Sequence, residues 1–371
     1  MRIGIIGAGQ LGRMLALSGI PLGLEFRMYD RAADVPGAAV APVSTGEFDD
    51  LAALRRFARS VDVVTFDWEN VPVASVRALA GIARTWPPPR ALEVAQDRLA
   101  EKRLFSRLGI PVAPHAAVDS LAALERAVRR IGTPGILKTR RLGYDGKGQV
   151  RIDRADQLAA ALAALGGHGL IYEGFVRFDR EVSLVAARGR DGSVVFYPLA
   201  ENVHESGILA VTRAPHAAPR LQRLAEWHLR RILERLNYVG VLCVEFFVAG
   251  PRLVANEMAP RVHNSGHWTI EGAETSQFEN HVRAIAGLPL GSTRARGAAG
   301  MVNFIGRMPP AGAVLAVEGA HLHDYGKSPR PGRKLGHATV LAPSPSARDR
   351  RLKALLAVAR PASQVSGGPF R

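Results

Sequence analysis

Residues 239–268 read VGVLCVEFFVAGPRLVANEMAPRVHNSGHW, and their apolar pattern predicts a β-hairpin followed by a polar loop. The first strand is apolar apart from Glu245, and after a turn at 249–252 the second strand leads to Asn256 and Glu257. Counting back from the turn places Glu245 opposite or diagonal to these two residues, close enough to share an ion. Two carboxylates and an amide suit magnesium, which proteins hold with one or two carboxylates and substrate phosphates. A solvent-facing acid on an edge strand is the alternative for Glu245.

The polar loop of residues 259–268 is a candidate site for a small oxyanion. Arg261, surrounded by polar donors, suits bicarbonate or phosphate. His263 and His267 have helical spacing, but the Asn, Ser and Gly between them predict a loop without a third soft ligand, which disfavours zinc. A capping loop held by its own side chains is the alternative.

A second glycine-rich segment, ILKTRRLGYDGKGQ at 136–149, places Lys138 inside an apolar strand. A buried ammonium group is costly unless an anion compensates it. The three glycines around Lys147 predict a loop whose backbone N–H groups can close over phosphates, although it is not a P-loop because no Ser or Thr follows the lysine. A solvated basic hairpin is the alternative. Residues 327–337 form another basic glycine-rich loop, which is either a surface loop or a second phosphate site.

The N-terminus carries GAGQLG at 7–12 after a strand and before a helix, with Asp30 about 20 residues further on. This pattern is typical of dinucleotide-binding domains, so an NAD-dependent oxidoreductase remains an alternative. The same turn also serves as a plain strand-to-helix junction in a Rossmann-like domain.

Composition and charge restrict the class of protein. The chain has 371 residues, of which 47% are hydrophobic and 22% charged, which excludes disordered, collagen and coiled-coil classes and predicts two or three domains. A net charge of +16 attracts anions, but we find no block of five or six like charges and only 6% aromatic residues, which disfavours an RNA-binding protein. No apolar run is long enough for a membrane span. The single cysteine, Cys243, fits a reducing cytoplasm.

The pattern of apolar segments divides the chain into three parts. Strands alternating with helices over 1–90 predict a parallel sheet, and the WPPP sequence at 86–89 predicts a linker. Antiparallel strands predominate after residue 180. Individual predictions are a helix at 91–108, a small unit with helices at 120–130 and 156–165 and strands at 136–139, 149–152 and 170–173, strands at 181–188 and 193–200, a helix at 219–236, and a poorly patterned tail after 343.

A lysine in a central strand, a glycine-rich flap and a later Glu…Asn-Glu pair, in that order, resemble the ATP-grasp ligases. With FDWENVP at 66–72 and NEMAPRVHNSGHW at 256–268, the chain is similar to the family of 5-(carboxyamino)imidazole ribonucleotide synthases over residues 1 to about 340. The resemblance implies an α/β and α+β ATP-grasp fold in three domains. These are a Rossmann-like parallel-sheet domain with a linker helix at 1–113, a small central α+β domain at 114–173, and a larger mixed-sheet domain with a basic C-terminal subdomain at 174–371.

The resemblance also implies an activity. We expect ATP- and bicarbonate-dependent carboxylation of the exocyclic amine of 5-aminoimidazole ribonucleotide, through carboxyphosphate, with ATP and magnesium as cofactors. It further implies small-molecule partners, no nucleic acid, no membrane, a homodimer and a cytoplasmic location. Another ATP-grasp carboxylase or formyltransferase is the alternative within the superfamily.

The residues that the family uses map onto this sequence as follows. Catalytic roles are expected for Asp145, Lys147, Arg261, His263 and Asn264. The residues expected to bind ATP are Arg98, Lys138, Gly143, Tyr144, Asp145, Gly146, Lys147, Gly148, Gln149, Glu173, Gly174, Phe175, Val176, Glu181, His204, Asn256 and Glu257. Magnesium is expected on Glu245 and Glu257, and the ribonucleotide on Glu69, Tyr144, Lys327, Arg333 and Lys334.

Overall fold

The computed structural model describes residues 1–143 and 146–359, which form three lobes, each built on its own sheet. The N-terminal lobe contains a parallel sheet in the order β3-β2-β1-β4-β5, as the alternating pattern predicts. Its elements are β1 (Arg2–Ile6), α1 (Gln10–Gly19), β2 (Glu25–Asp30), β3 (Val43–Thr45), α2 (Leu51–Ala58), β4 (Val63–Phe66), α3 (Val73–Ala80) and β5 (Arg84–Thr85).

Two helices, α4 (Pro89–Ala95) and α5 (Arg98–Arg107), stand where the sequence predicts one helix at 91–108. That prediction is wrong because Asp97 caps α5, its carboxylate accepting hydrogen bonds from the N–H groups of Leu99 and Ala100. The predicted linker at 86–89 is also shorter than expected. Pro89 already occupies the first turn of α4, where the missing proline N–H costs nothing.

The small lobe is an antiparallel four-stranded sheet in the order β6-β9-β7-β8, with β7 in its interior. It has its own apolar core, in which Leu124, Leu137 and Tyr172 are buried. Its elements are β6 (His115–Val118), α6 (Leu121–Ile131), β7 (Gly135–Thr139), β8 (Gln149–Ile152), α7 (Leu158–Ala164) and β9 (Leu170–Gly174). The helix predicted at 156–165 is shorter, because residues 155–157 form a 3₁₀ turn.

The large lobe is a nine-stranded sheet with the main order β15-β14-β10-β12-β13-β16-β18-β17, and β11 also pairs with β10. Its strand pairs are antiparallel. Its elements are β10 (Arg180–Arg188), β11 (Val194–Phe196), β12 (Ala200–Glu205), β13 (Ile208–Ala214), α8 (Pro219–Arg235), β14 (Gly240–Ala249), β15 (Arg252–Ala259), α9 (Thr269–Gly272), α10 (Gln277–Ala286), β16 (Ala298–Ile305), α11 (Ala311–Leu315), β17 (Ala320–Asp324), β18 (Lys334–Ala342) and α12 (Pro345–Ala359).

Two predictions for this lobe need correction. The strand predicted at 193–200 is confined to β11 and the first residue of β12. The prediction of a poorly patterned tail after residue 343 is wrong, because this segment contains the fifteen-residue helix α12. Leu352 and Leu355 of this helix are buried against the β16–β18 part of the sheet.

The outer lobes share one apolar core, whereas the small lobe packs separately. Ile3 and Met14 of the N-terminal lobe are buried together with Val282 and Ile285 of α10. The cleft described below lies at the C-terminal ends of the parallel strands, where Gly7 follows β1 and Asp67 follows β4. No helix within 1–143 and 146–359 has the length and apolar character needed to cross a membrane.

Candidate active site

The lobes enclose a cleft of about 900 Å³ to which all three contribute. The sequence-predicted residues that line it are Glu69, Arg98, Gly143, Lys147, Glu245, Glu257, Arg261, His263, Asn264, Lys327, Arg333 and Lys334. The structure therefore brings the predicted metal, oxyanion and ribonucleotide residues to one surface. Other predicted nucleotide residues, including Lys138, Glu173, Glu181 and His204, are outside this lining set.

The two predicted metal carboxylates lie opposite each other on the β14–β15 hairpin. Glu245 pairs in register with Glu257, and the next register pair joins Phe246 to Ala255. Asn256 is therefore the extra residue of a β-bulge. The count from the turn predicts this opposition, although it does not predict the bulge that produces it.

The charges at this pair suit a divalent cation. Burial, followed by the charge of Glu257, raises the pKa of Glu245. Burial also opposes ionisation of Glu257, but Arg98 donates from Nη1 to its Oε2 at 2.8 Å and lowers its pKa. A cation between the two carboxylates would relieve their repulsion. The described residues contain no cluster of three or more His, Cys, Asp or Glu for a metal, so magnesium here would draw its further ligands from phosphate.

Lys138 has the compensating anion that its place in an apolar strand requires. Its Nζ donates to Glu173 Oε2 at 3.0 Å, across the neighbouring strands β7 and β9. Burial opposes the charge of Glu173, but Lys102 and Lys138 together lower its pKa to about 2. Glu173 thus uses its carboxylate in a buried ion pair.

The connection after β9 and the neighbouring strands of the large lobe hold the remaining predicted nucleotide residues. The N–H groups of Gly174 and Phe175 donate to the carbonyl oxygens of Pro114 and Pro134. In the large lobe, Glu181 Oε2 lies 2.7 Å from His204 Nδ1, and although burial opposes it, this contact raises the pKa of His204. Val176 follows in the same connection between the lobes.

The predicted flap lies between β7 and β8, and its residues Tyr144 and Asp145 fall outside the described residues. Gly146 has φ +75° and contacts the β12–β13 turn, so that a Cβ there would lie 3.2 Å from Gly207 Cα. Gly148, with φ +70°, is the other position that favours glycine. The described part of the flap thus touches the large lobe.

The polar loop after β15 is held by a contact within the loop, as its capping alternative predicts, and by a contact with the N-terminal lobe that the sequence did not identify. Arg261 forms a two-point ion pair with Glu69 of the N-terminal lobe, with Nη2 donating to Oε1 at 2.7 Å. His263 Nδ1 lies 2.8 Å from Ser265 Oγ, and burial together with the charge of Arg261 lowers the pKa of His263 to about 3. The ring is therefore neutral at physiological pH.

Asn264 and the basic loop complete this part of the cleft. The side-chain amides of Asn264 and Asn303 donate to each other, at 3.1 and 2.6 Å. Lys327 Nζ donates to Gln10 Oε1. Burial and the neighbouring cation Arg333 lower the pKa of Lys327 to about 8. Arg330 also lines the cleft, although the sequence analysis gave it no role in binding.

The glycine-rich turn at 7–12 is occupied by a side chain of the protein itself. Asp67 Oδ2 accepts hydrogen bonds from the N–H groups of Gly9 and Gly12, at 2.8 and 3.1 Å. A Cβ on Gly7 would lie 2.8 Å from Asp67 Cγ and even closer to Oδ1. A dinucleotide places its pyrophosphate against such a turn, so the NAD-binding alternative has no room here. The turn lines the cleft instead.

Helix α5 contributes two residues that the sequence analysis missed, Glu101 and Lys102. Both are ionisable and almost completely buried, and both contact β15. Their spacing from Arg98 places all three on one helix face, which is the only signal in the sequence that could have identified them.

Three family models match this chain in order. Residues 1–96 match the ribonucleotide synthetase preATP-grasp domain, residues 103–278 the ATP-grasp domain, and residues 299–351 the phosphoribosylaminoimidazole carboxylase C-terminal domain. These matches agree with an ATP-grasp fold that follows a parallel-sheet domain.

Individual proteins are similar over nearly the whole chain. The N5-carboxyaminoimidazole ribonucleotide synthase of Pseudomonas aeruginosa is 53% identical over 340 residues, covering 92% of this chain and 94% of that protein. The crystal structure of the synthetase from Thermus thermophilus has a TM-score of 0.94 at 54% identity and full coverage of both chains. The Aspergillus clavatus synthase, solved with ADP and 5-aminoimidazole ribonucleotide, has a TM-score of 0.90 at 31% identity, covering 96% of this chain and 98% of that one.

Proposed function

The chain belongs to the N5-carboxyaminoimidazole ribonucleotide synthase family of ATP-grasp enzymes, and we propose how its own residues carry out that reaction. The activity is that of an ATP-dependent carbon–nitrogen ligase of purine biosynthesis. It carboxylates the exocyclic amine of 5-aminoimidazole ribonucleotide with bicarbonate and forms 5-(carboxyamino)imidazole ribonucleotide, ADP and phosphate. The observation that carries the residue assignment is that Glu245 and Glu257 face each other in the cleft that also contains Lys327, Arg333 and Lys334.

The nucleotide is proposed to bind beside the carboxylate pair. Arg98 and Lys138 would hold its phosphates, because Arg98 lines the cleft beside Glu257, and Lys138 is a buried cation of the small lobe, oriented by Glu173. The residues proposed to complete the nucleotide site are the flap 143–149, residues 173–176 along the adenine, Glu181 on the ribose, and His204 and Asn256 beside them. Glu245 and Glu257 would hold magnesium, which when bound neutralises charge on the transferred phosphoryl group.

The first step activates bicarbonate, which is a poor electrophile. A bicarbonate oxygen attacks the γ-phosphorus, a new P–O bond forms, the bond to the β–γ bridging oxygen breaks, and ADP leaves with that electron pair. We propose that Arg261, His263 and Asn264 orient the bicarbonate for this attack. The neutral ring of His263 supplies a hydrogen-bonding group without a second positive charge, while Arg261 supplies the charge.

The second step transfers the carboxyl group to the amine. The amine nitrogen bonds to the carboxyl carbon, the bond from that carbon to the phosphate oxygen breaks, and the amine loses a proton. We assign the proton transfer to Asp145, with Tyr144 and Lys147 closing over the reacting groups.

The ribonucleotide is proposed to lie against the basic loop. Lys327, Arg333 and Lys334 would bind its phosphate, because they bring positive charge to the cleft wall next to the glycine-rich turn. Glu69 would contact the aminoimidazole, and its ion pair with Arg261 supports a contact beside the proposed bicarbonate position.

The test is the release of ADP from ATP and magnesium, measured with and without bicarbonate and with and without 5-aminoimidazole ribonucleotide. We expect full activity only with both. Trials with glycinamide ribonucleotide or biotin address the alternative of another ATP-grasp ligase. Glu257→Gln should abolish most of the activity, whereas Glu125→Gln, an exposed carboxylate on α6, should retain it. Normal turnover by Glu257→Gln would refute the metal assignment.

We further propose that the chain acts as a homodimer in the cytoplasm on small molecules, without nucleic acid or membrane partners. The single thiol, Cys243, is buried, which suits a reducing compartment. Light scattering of the purified protein tests the dimer, and a mass of one chain, 39.8 kDa, would contradict it.

A further inference from the structure

We infer that Glu101 and Lys102 of α5 are positioning residues that hold the β15 bulge, so that Glu257 faces Glu245. This inference rests on the proposed metal and nucleotide site. Arg98, which pairs with Glu257, lies on the same face of α5, because residues three and four positions apart are neighbours on a helix.

The two side chains contact the backbone of β15 on both sides of Glu257. Lys102 Nζ donates to the carbonyl oxygens of Asn256 at 2.8 Å and Ala255 at 3.3 Å. Glu101 Oε1 accepts a hydrogen bond from the N–H of Met258 at 2.7 Å. Helix α5 therefore fixes the backbone immediately before and after the proposed metal ligand.

The bulge determines which way Glu257 points. Side chains alternate between the two faces of a strand, so a slip of one residue in register sends every side chain to the opposite face. The extra residue Asn256 shifts the register by one residue between Ala255 and Glu257, and so decides the face on which Glu257 lies. A bulge also interrupts the ladder hydrogen bonds, and Lys102 supplies a donor to the carbonyl of the extra residue.

Burial supports a positioning function over simple packing. Glu101 is 2% exposed and Lys102 is 1% exposed, and apolar residues of similar volume would fill the same space without the desolvation of two ionisable groups. Lys102 Nζ also lies 3.7 Å from Glu173 Oε2. The same side chain thus connects the small lobe, where Glu173 pairs with Lys138, to the strand that carries Glu257.

The experiment measures binding of Mn²⁺ by electron paramagnetic resonance in the presence of ADP, and thermal unfolding of the same samples. Lys102→Met removes the ammonium group but keeps the length of the side chain. We expect Mn²⁺ affinity to fall about tenfold or more, as is typical for residues that orient metal ligands. Arg103→Met is the matched control, because Arg103 is exposed on the same helix, and its Mn²⁺ affinity should equal that of the unchanged protein.

A purely structural role for Lys102 would lower the melting temperature without changing the Mn²⁺ affinity of the folded protein, and that result would overturn the inference. Glu101→Asp is the milder second variant, since it keeps the carboxyl group but shortens the side chain and so withdraws the acceptor from the N–H of Met258. It should fold and bind Mn²⁺ about tenfold more weakly, and unchanged affinity would contradict the inference even if Lys102→Met failed to fold. Failure of the unchanged protein to bind Mn²⁺ would instead refute the proposed metal site.

Discussion

Gly7→Ala is expected to lower the free energy of unfolding by about 4 kcal/mol, which is large for a single added methyl group. Gly7 has φ +94°, and a left-handed backbone costs an L-residue roughly 1–2 kcal/mol. The new Cβ would also collide with the carboxylate of Asp67. Moving that carboxylate weakens its hydrogen bonds to Gly9 and Gly12, each worth about 1.5–3 kcal/mol because the acceptor is charged.

The control is Gly23→Ala, at a position with φ +73° where an added Cβ meets nothing within 4 Å. It should lose only the backbone contribution of about 1–2 kcal/mol. Urea unfolding gives the free energy of unfolding of both variants. The difference between the two values, about 2–3 kcal/mol, measures the collision with Asp67. In an Asp67→Ala background that difference should largely disappear, because the carboxylate that the new methyl group displaces is no longer there.

Equal destabilisation by Gly7→Ala and Gly23→Ala would refute the conclusion that Asp67 fills the glycine-rich turn. A second measurement bears on the same point. NADH should not raise the urea midpoint, since a ligand stabilises a protein only when it binds the folded state. If NADH raised the urea midpoint of the unchanged protein but not that of Gly7→Ala, the result would support the dinucleotide-binding alternative.

Three further predictions concern the cleft. Glu257→Gln should reduce bicarbonate-dependent ADP release about 100-fold with an unchanged circular dichroism spectrum, and a smaller loss than about tenfold would contradict its role as a ligand. Lys138→Met should raise the KM for ATP about tenfold, equivalent to about 1.4 kcal/mol, and an unchanged KM would argue against phosphate contact. Because burial lowers the pKa of Lys327 to about 8, its positive charge is lost as pH rises through that value. The kcat/KM for the ribonucleotide should therefore fall above about pH 8, and Lys327→Met should remove this decline.

The hairpin that carries the metal carboxylates could be predicted because its determinants are local. An apolar strand with one acid, a short turn and a second strand fix Glu245 near Glu257 by counting alone. The interior position of Lys138 could be predicted because the residues around it in its own strand are apolar. The parallel N-terminal sheet followed from strands that alternate with helices.

The partners of these residues could not be predicted, because they come from distant parts of the chain. Glu69 and Arg261 are separated by 192 positions and meet only when the outer lobes pack together. Asp67 reaches the N–H of Gly9, 58 positions away, because β4 pairs with β1 inside the N-terminal sheet. Helix α12 was missed for another reason: its buried side includes Arg348 and its exposed side includes Ala354 and Ala357, so the apolar periodicity is weak.

The pairing of cations with protein acceptors throughout the cleft is compatible with binding anionic substrates. An ammonium group has three donors and a guanidinium five, and Lys138 uses one of its three on Glu173. The partner therefore orients the cation and leaves it able to donate to a phosphate. Without Glu173, the buried ammonium groups of Lys102 and Lys138 would repel each other, since Glu173 lies within 4 Å of both. Glu173, beside the proposed phosphate site, thus stabilises the protonated form of two buried lysines. Burial and mutual repulsion would otherwise favour their neutral form.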